Sequence, residues 1–350
     1  DPNPTLQIAI ASHAPPLKPA IRRRQQQALA LALSAKPCHG FDMTHALTLT
    51  SAQMTASISP HGARLETFSF TGDASLVLHA DPDQAPTWRA IYPGAIVGPI
   101  ANRVKSGMLF VDGRAYQMTR NENGVTALHS GPNGLDQRIW DVKHSEADFV
   151  HLQMVLQDGD MGLLGLRVID VRYTLSDTTL TLDIRAETDA PTPINIAHHP
   201  YWRLGDAAAH RLQINADHYL PVDAQLIPTG EIAKVAGTAF DHRDAKPLDP
   251  GLDHNFCIRT TKPDAPAPMA TLYGADGLIL QIDSTEPGLQ VYSGARMPTL
   301  PGTDAKPFAG IALEPQGWPD AVNRPDFPSI ICTPNQPYRQ ITRYRMHRAT

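Results

Sequence analysis

Two residues of this chain sit where a general acid and a general base would need to sit. Glu314 follows the apolar run Gly310-Ile-Ala-Leu313 and precedes Pro315. A carboxylate placed there is expected to be partly buried, and the proline holds it in extended backbone. His199 has the same local design in Asn195-Ile-Ala-His198-His199-Pro200-Tyr201-Trp202, where Pro200 restrains it. Proton transfer needs such restraint, because a misplacement of about one ångström is costly. If 192–199 is extended, successive side chains alternate faces, so His198 and His199 point opposite ways and make a poor metal clamp. Taken alone, a histidine among aromatics on a sheet reads more readily as a packed, hydrogen-bonded side chain than as a catalyst.

Other polar groups accompany them. Asn102 and Arg103 follow the loop Gly98-Pro-Ile-Ala101, and His129 stands beside Gly131-Pro-Asn-Gly134. Asp253-His254-Asn255 precedes Phe256, and Gln316 comes two residues after Glu314. Singly, these read as a solvated loop, a surface residue or a turn cap. Tyr201, Trp202, Trp318 and Phe327 could supply an apolar wall for a sugar or aromatic ligand, although core packing is the commoner fate of such residues. The chain has no G-x-G-x-x-G opening a helix, no Walker loop, no H-E-x-x-H and no G-x-S-x-G. Asp158-Gly159-Asp160 lacks the later ligands of a calcium loop and reads as a turn. No cofactor and no metal are expected.

The elements that must position these groups follow a period of two. Val150, Leu152, Met154 and Leu156 share one face, as do Ile169, Val171, Tyr173 and Leu175, and then Leu180, Leu182 and Ile184. These are three half-buried strands of an antiparallel meander. The segments 278–283 and 341–346 repeat the pattern, with Gly274-Ala-Asp-Gly277 as a turn before the first. The 32 prolines and 24 glycines are spread along the chain, which suits many short strands joined by turns. The expected fold is all-β: a large antiparallel β-sandwich (supersandwich) with long loops, formed as one domain by residues 43–350, with Met43 as a natural start.

Residues 1–42 differ. Arg22-Arg23-Arg24 precedes the alternating Ala/Leu stretch 28–33, which could pass for a short signal sequence. No small-x-small cleavage site precedes Cys38, and a dispensable extension with one marginal helix is the preferred reading. A net charge of −5 and a pI near 6.3 give no reason to expect nucleic acid or an anionic membrane. No apolar run approaches the ~20 residues of a membrane-spanning helix. Three dispersed cysteines make neither a zinc site nor a disulfide framework. A cytoplasmic monomer or homodimer is expected, or a periplasmic protein if residues 1–42 act as an export signal.

The set Gly98…Asn102-Arg103, Leu128-His129, His199-Pro-Tyr201, Asp253-His254-Asn255-Phe256 and Leu313-Glu314-x-Gln316…Pro319-Asp320…Pro325-Asp326-Phe327-Pro328 resembles the aldose 1-epimerase family in order and spacing, over residues 46–346. The resemblance implies a cofactor-free sandwich that binds a small sugar in an open cleft. It implies Glu314 as the base that takes the anomeric proton, His199 as the acid at the ring oxygen, and His129 as a second histidine near that oxygen. Asn102, Arg103, Tyr201, Asp253 and Gln316 would hold the sugar. The pattern departs at Pro99, where arginine is common, at Ser130, where glycine is common, and at His198-His199-Pro200, where Asn-His-Ser is common. Those departures bear on substrate preference. Rival readings are a hexose-6-phosphate 1-epimerase, which would favour clustered arginines, a glycoside hydrolase using Asp253 with Glu314, and a sugar-binding sandwich without turnover. Arg343, Arg345 and Arg348 read as one solvated strand face. An ionised Glu314 and a protonated His199 predict a bell-shaped pH profile. With ordinary pKa values of about 4.3 and 6.5, the histidine must be raised by a neighbouring carboxylate to be populated at pH 7.

Overall fold

Alternation of apolar and polar residues builds a nine-stranded antiparallel sheet around the expected meander. The computed structural model describes residues 46–79, 91–301 and 303–349, so the extension expected over 1–42 lies outside the described residues. Strands Phe149–Leu156, Arg167–Ser176 and Thr179–Thr188 pair in sequence, with Val150 opposite Tyr173 and Val171 opposite Ile184. Their expected inward residues are buried, apart from a half-buried Met154. Tyr338–Arg348 joins Thr179–Thr188 on one side and Leu278–Ser284 on the other. Arg343 and Arg345 lie on the outer face as expected. Arg348 does not share it: by parity it belongs to the inner face, where it passes the end of the core, lies over the Phe70 ring and pairs with Asp73. Among the described residues every helical piece is a three-residue 3-10 turn, two of them at the expected turns near Asp160 and Ala275.

A second, six-stranded sheet carries the site. Its order is Tyr201–Trp202, Ile311–Gln316, Gly288–Tyr292, Asp253–Cys257, His218–Tyr219 and Ala233–Lys234. One hydrophobic cluster joins the two sheets, drawing Leu180, Leu182 and Ile184 from the first and Trp202, Phe256, Leu289, Val291, Ile311 and Leu313 from the second. Parity then decides the other face. With Leu289, Val291, Ile311 and Leu313 turned inward, Gln290, Tyr292 and Glu314 must turn outward. A one-residue slip would exchange the two sets. Each of those aliphatic side chains contributes about 1.5–3 kcal/mol by burial, so the core holds the site in register.

The expected single strand over 192–199 is broken. Thr192–Pro193 pairs with Ile331–Cys332, and Ala197–His198 pairs with Ile96–Val97. The facing rule survives: His198 enters the core, where its Nδ1 lies 3.1 Å from the Tyr344 hydroxyl, and His199 faces the other way. Glu314 does not end its strand, which continues through Pro315 to Gln316. A proline is tolerated there because only Gly288–Tyr292 pairs with that half of the strand.

Candidate active site

On the outer face of the six-stranded sheet, Tyr201, Glu314, Gln290, Tyr292 and Asp253 form the floor of a cleft of about 290 Å³. Loops from earlier in the chain supply its walls: Tyr92, Asn102, Arg103, Glu122, Leu128 and His129, with Arg296 at the rim. Arg103 reaches the cleft because the short strand Arg103–Val104 pairs with Ala127–Leu128, which also brings His129 beside Asn102. Seven expected site residues therefore meet in one place: Asn102, Arg103, His129, His199, Tyr201, Asp253 and Glu314.

Gln316 does not join them. It is fully buried, two residues along the strand from Glu314, and its amide donates to the Gly317 carbonyl. Same-face neighbours on a strand are about 6.6 Å apart, so Gln316 passes beyond the cleft. The amide beside Glu314 comes from the neighbouring strand instead, where Gln290 lies directly opposite. The expected aromatic wall is also corrected. Trp202 has the opposite parity to Tyr201 and is in the core, and Trp318 and Phe327 pack edge-to-face on each other in a separate cluster. The aromatic residues that line the cleft are Tyr92, Tyr201 and Tyr292. Sequence reasoning missed Tyr92, Glu122, Gln290, Tyr292 and Arg296. Only Gln290 and Tyr292 carried a readable signal, as polar alternates in Gly288-Leu-Gln-Val-Tyr292.

At the centre, His199 Nε2 lies 3.5 Å from Glu314 Oε1, and both side chains are almost wholly buried. Glu314 Oε2 and His199 Nδ1 have no hydrogen-bond partner among the described residues. Burial, reinforced by the negative charge of Asp253 and opposed by Arg103, holds the Glu314 carboxyl well above the ordinary carboxylate range. Burial lowers His199 to about 4. The expected raised histidine is thus reversed: desolvation disfavours the charged form of each partner. Burial thus favours the protonated carboxyl of Glu314 and the neutral imidazole of His199, an arrangement in which the pair holds one proton.

His129 has a fixed tautomer. The Asn102 backbone N–H donates to its Nδ1 at 3.1 Å, so in the neutral ring the proton resides on Nε2. Burial, with His199 and Arg103 nearby, keeps the ring neutral by lowering its pKa well below the usual value. His129 is therefore a standing hydrogen-bond donor. The same proton bears on metal binding. Ligand atoms of His129, His199 and Glu314 lie within 4.8 Å of one another, a spacing a cation could span. A metal on His129 would need Nε2 free of its proton, and the Asn102 amide forbids the alternative tautomer. The donor set does not fit a resident metal. Treatment with a chelator is accordingly expected to leave turnover unchanged; loss in EDTA with recovery on adding zinc would refute this.

The remaining charges cancel. Arg103 is held bidentate by Glu122 through contacts of 2.8 and 2.7 Å, and Thr126 donates to the same carboxylate. Asp253 accepts from Gln290 at 2.9 Å and pairs with Arg296, whose backbone N–H donates to the Tyr292 hydroxyl. Ser130, one of the departures from the family pattern, is buried, and its hydroxyl accepts the Ile100 N–H at 2.8 Å.

Comparison with known proteins agrees with this geometry. A family model described as aldose 1-epimerase matches residues 45–345. The galactose mutarotase of Bos taurus is 36% identical over 301 residues, covering 80% of this chain and 86% of that protein. The aldose 1-epimerase of Escherichia coli K12 is 34% identical over 280 residues, covering 73% and 80%. Among solved structures, an aldose epimerase homologue from C. elegans superposes with a TM-score of 0.79 at 30% identity, covering 87% of this chain and 99% of that one. With its motifs gathered into one cleft and a match running from the first described strand to the last, the chain belongs to the aldose 1-epimerase family.

Proposed function

We propose that the protein interconverts the α and β anomers of free aldohexoses, galactose and glucose among them, by acid–base opening and reclosure of the ring. Family membership makes it an isomerase acting on a small sugar; the residue roles are our reading. The observation that carries them is the buried Glu314–His199 pair, 3.5 Å apart inside a cleft of sugar size.

In the forward direction the Glu314 carboxylate takes the proton of the anomeric hydroxyl. The C1–O1 bond becomes a carbonyl, the bond from C1 to the ring oxygen breaks, and that oxygen takes a proton from His199. Rotation about C1–C2 presents the other face of the aldehyde. Reclosure returns the proton to His199 and takes one from Glu314, so the enzyme ends as it began. The donor at His129 Nε2 stabilises charge on the ring oxygen as it leaves. Burial disfavours the ionic arrangement of the pair, and sugar hydroxyls donating to Glu314 favour it. Arg103, Asn102, Asp253 and Gln290 hold the remaining hydroxyls. A cavity at the small end of the range for ligand sites suits a monosaccharide.

The neutralised arginines favour this reading over the hexose-6-phosphate alternative, because Arg103 and Arg296 already face carboxylates. A buried carboxyl and imidazole facing each other at 3.5 Å across the cleft favour turnover over a sugar-binding sandwich without it. A monomer or homodimer remains our expectation. A cytoplasmic location remains our expectation; among the described residues no helix is long and apolar enough to cross a membrane. Polarimetry on freshly dissolved α-D-galactose and α-D-glucose tests the proposal. Both should relax faster with enzyme, and α-D-glucose 6-phosphate should compete poorly. Relaxation of the phosphate alone would favour the alternative.

A further inference from the structure

Tyr92 lies in the cleft in a backbone conformation that a tyrosine rarely adopts. Its φ is +54°, in the left-handed region, and it precedes Pro93. Asn102 and His129, also in the cleft, have φ of +63° and +51°, but asparagine and histidine tolerate that region better than a bulky aromatic does. Such strain persists only where the surroundings over-determine it, and here they do. The turn closes with the Ala95 N–H donating to the Tyr92 carbonyl at 3.1 Å. Buried Arg64 donates to the Pro93 carbonyl at 2.5 Å. Gly94 admits no side chain, since a Cβ would lie 2.0 Å from the Leu65 carbonyl oxygen.

This turn is also bonded to the catalytic segment itself. The Gly94 N–H donates to the His199 carbonyl, and the His199 N–H donates to the Ala95 carbonyl, both at 2.9 Å. The strained tyrosine is therefore tied through Gly94 and Ala95 to the backbone of His199. Its ring meets the His129 imidazole edge-on at 4.6 Å between centroids and lies 5.9 Å from His199. The two imidazoles are 5.5 Å apart at 84°, which closes a triangle of three rings.

We propose that Tyr92 is a positioning residue, strained into place so that its ring holds the imidazoles of His129 and His199 in their working orientation. It deepens the reading of His199 as proton donor and rests on it. A ring in this position leaves each imidazole few rotamers and keeps water from their faces. The phenolic hydroxyl is not needed for either task.

The test uses the full chain with Tyr92→Phe, Tyr92→Ala and Tyr92→Gly, followed by polarimetry, melting temperature and NMR titration of the imidazole resonances. Tyr92→Phe should stay within about two-fold of wild type. Tyr92→Ala should lose ~10–10² in kcat while KM moves only a few-fold, as expected for misplacement of the reacting groups. Its His199 resonance should titrate at higher pH than in wild type, because water reaches the ring. Tyr92→Gly should match Ala in kcat but melt at a higher temperature, because glycine accepts a positive φ without strain. Wild-type kcat in Ala and Gly would overturn the proposal. So would a loss confined to KM with unchanged titrations, which would make the ring a platform for the sugar. An inactive wild type would count against the isomerase reading alone, since the NMR titrations still report whether Tyr92 holds the imidazoles.

Discussion

Replacing Glu314 with Gln is expected to collapse turnover while leaving the protein folded and no less stable. The amide keeps the shape of the side chain and can still hydrogen-bond a hydroxyl, but it cannot accept the anomeric proton. Loss of a positioned general base costs ~10²–10⁴ in rate, about 3–5 kcal/mol of transition-state stabilisation. KM should change only a few-fold, because Arg103, Asp253 and Gln290 remain in the cleft. Stability separates this from a structural role. The Glu314 carboxyl is raised by burial in the folded chain, so its contribution to stability is full below the ordinary carboxylate pKa and is lost as pH rises through the folded value. A permanently neutral Gln escapes that loss, and the variant should melt at or above the wild-type temperature, increasingly so toward alkaline pH. Turnover and melting measured on one preparation decide the matter. A folded Gln variant with near-wild-type turnover would remove Glu314 from the mechanism.

The second large effect concerns which residue sets which limb of the pH profile. Only the singly protonated Glu314–His199 pair is productive, so kcat/KM should be bell-shaped. Ordinary pKa values would assign the acidic limb to glutamate and the alkaline limb to histidine. Burial reverses that order, lowering His199 to about 4 and raising Glu314. The acidic limb should therefore lie near pH 4 and belong to His199, and the alkaline limb should belong to Glu314. In the residual activity of His199→Asn, itself down by ~10²–10⁴, only the base remains, so turnover should rise to a plateau as Glu314 ionises, above the ordinary carboxylate range. In Glu314→Gln only the acid remains, so residual turnover should fall as pH rises through about 4. The stability signs agree: neutral His199 stabilises the fold above its ordinary pKa of about 6.5, and that contribution is lost as pH falls toward 4. His199→Asn should thus gain melting temperature mainly in acid. A His199→Asn rise near pH 4 with a Glu314→Gln fall near pH 6.5 would restore the ordinary order and refute the desolvation argument.

Much of this protein is legible along the chain because period two is a local property. Val150 to Leu156, Ile169 to Leu175 and Leu180 to Ile184 announce their inward faces without reference to any partner, and the nine-stranded sheet follows. The same parity separates His198 from His199. Applied to Tyr201 and Trp202, it also tells which of them can face a cleft, once one of the two is known to be buried. Glu314 declares its burial through its apolar neighbours, and the ordered motifs from Asn102 to Phe327 carry the family.

What the chain alone could not decide depends on pairing between distant segments and on the volume around a group. Gln290 rather than Gln316 stands beside Glu314 because of the register between two strands, which neither strand encodes by itself. Glu122 finds Arg103 and Tyr92 finds His129 only after loops separated by tens of residues converge. The tautomer of His129 is imposed by a backbone N–H 27 residues away. The order of protonation inverts for the same kind of reason: a sequence supplies the ordinary pKa of a glutamate and a histidine, but desolvation is a property of everything packed around them, and only the tertiary structure contains it.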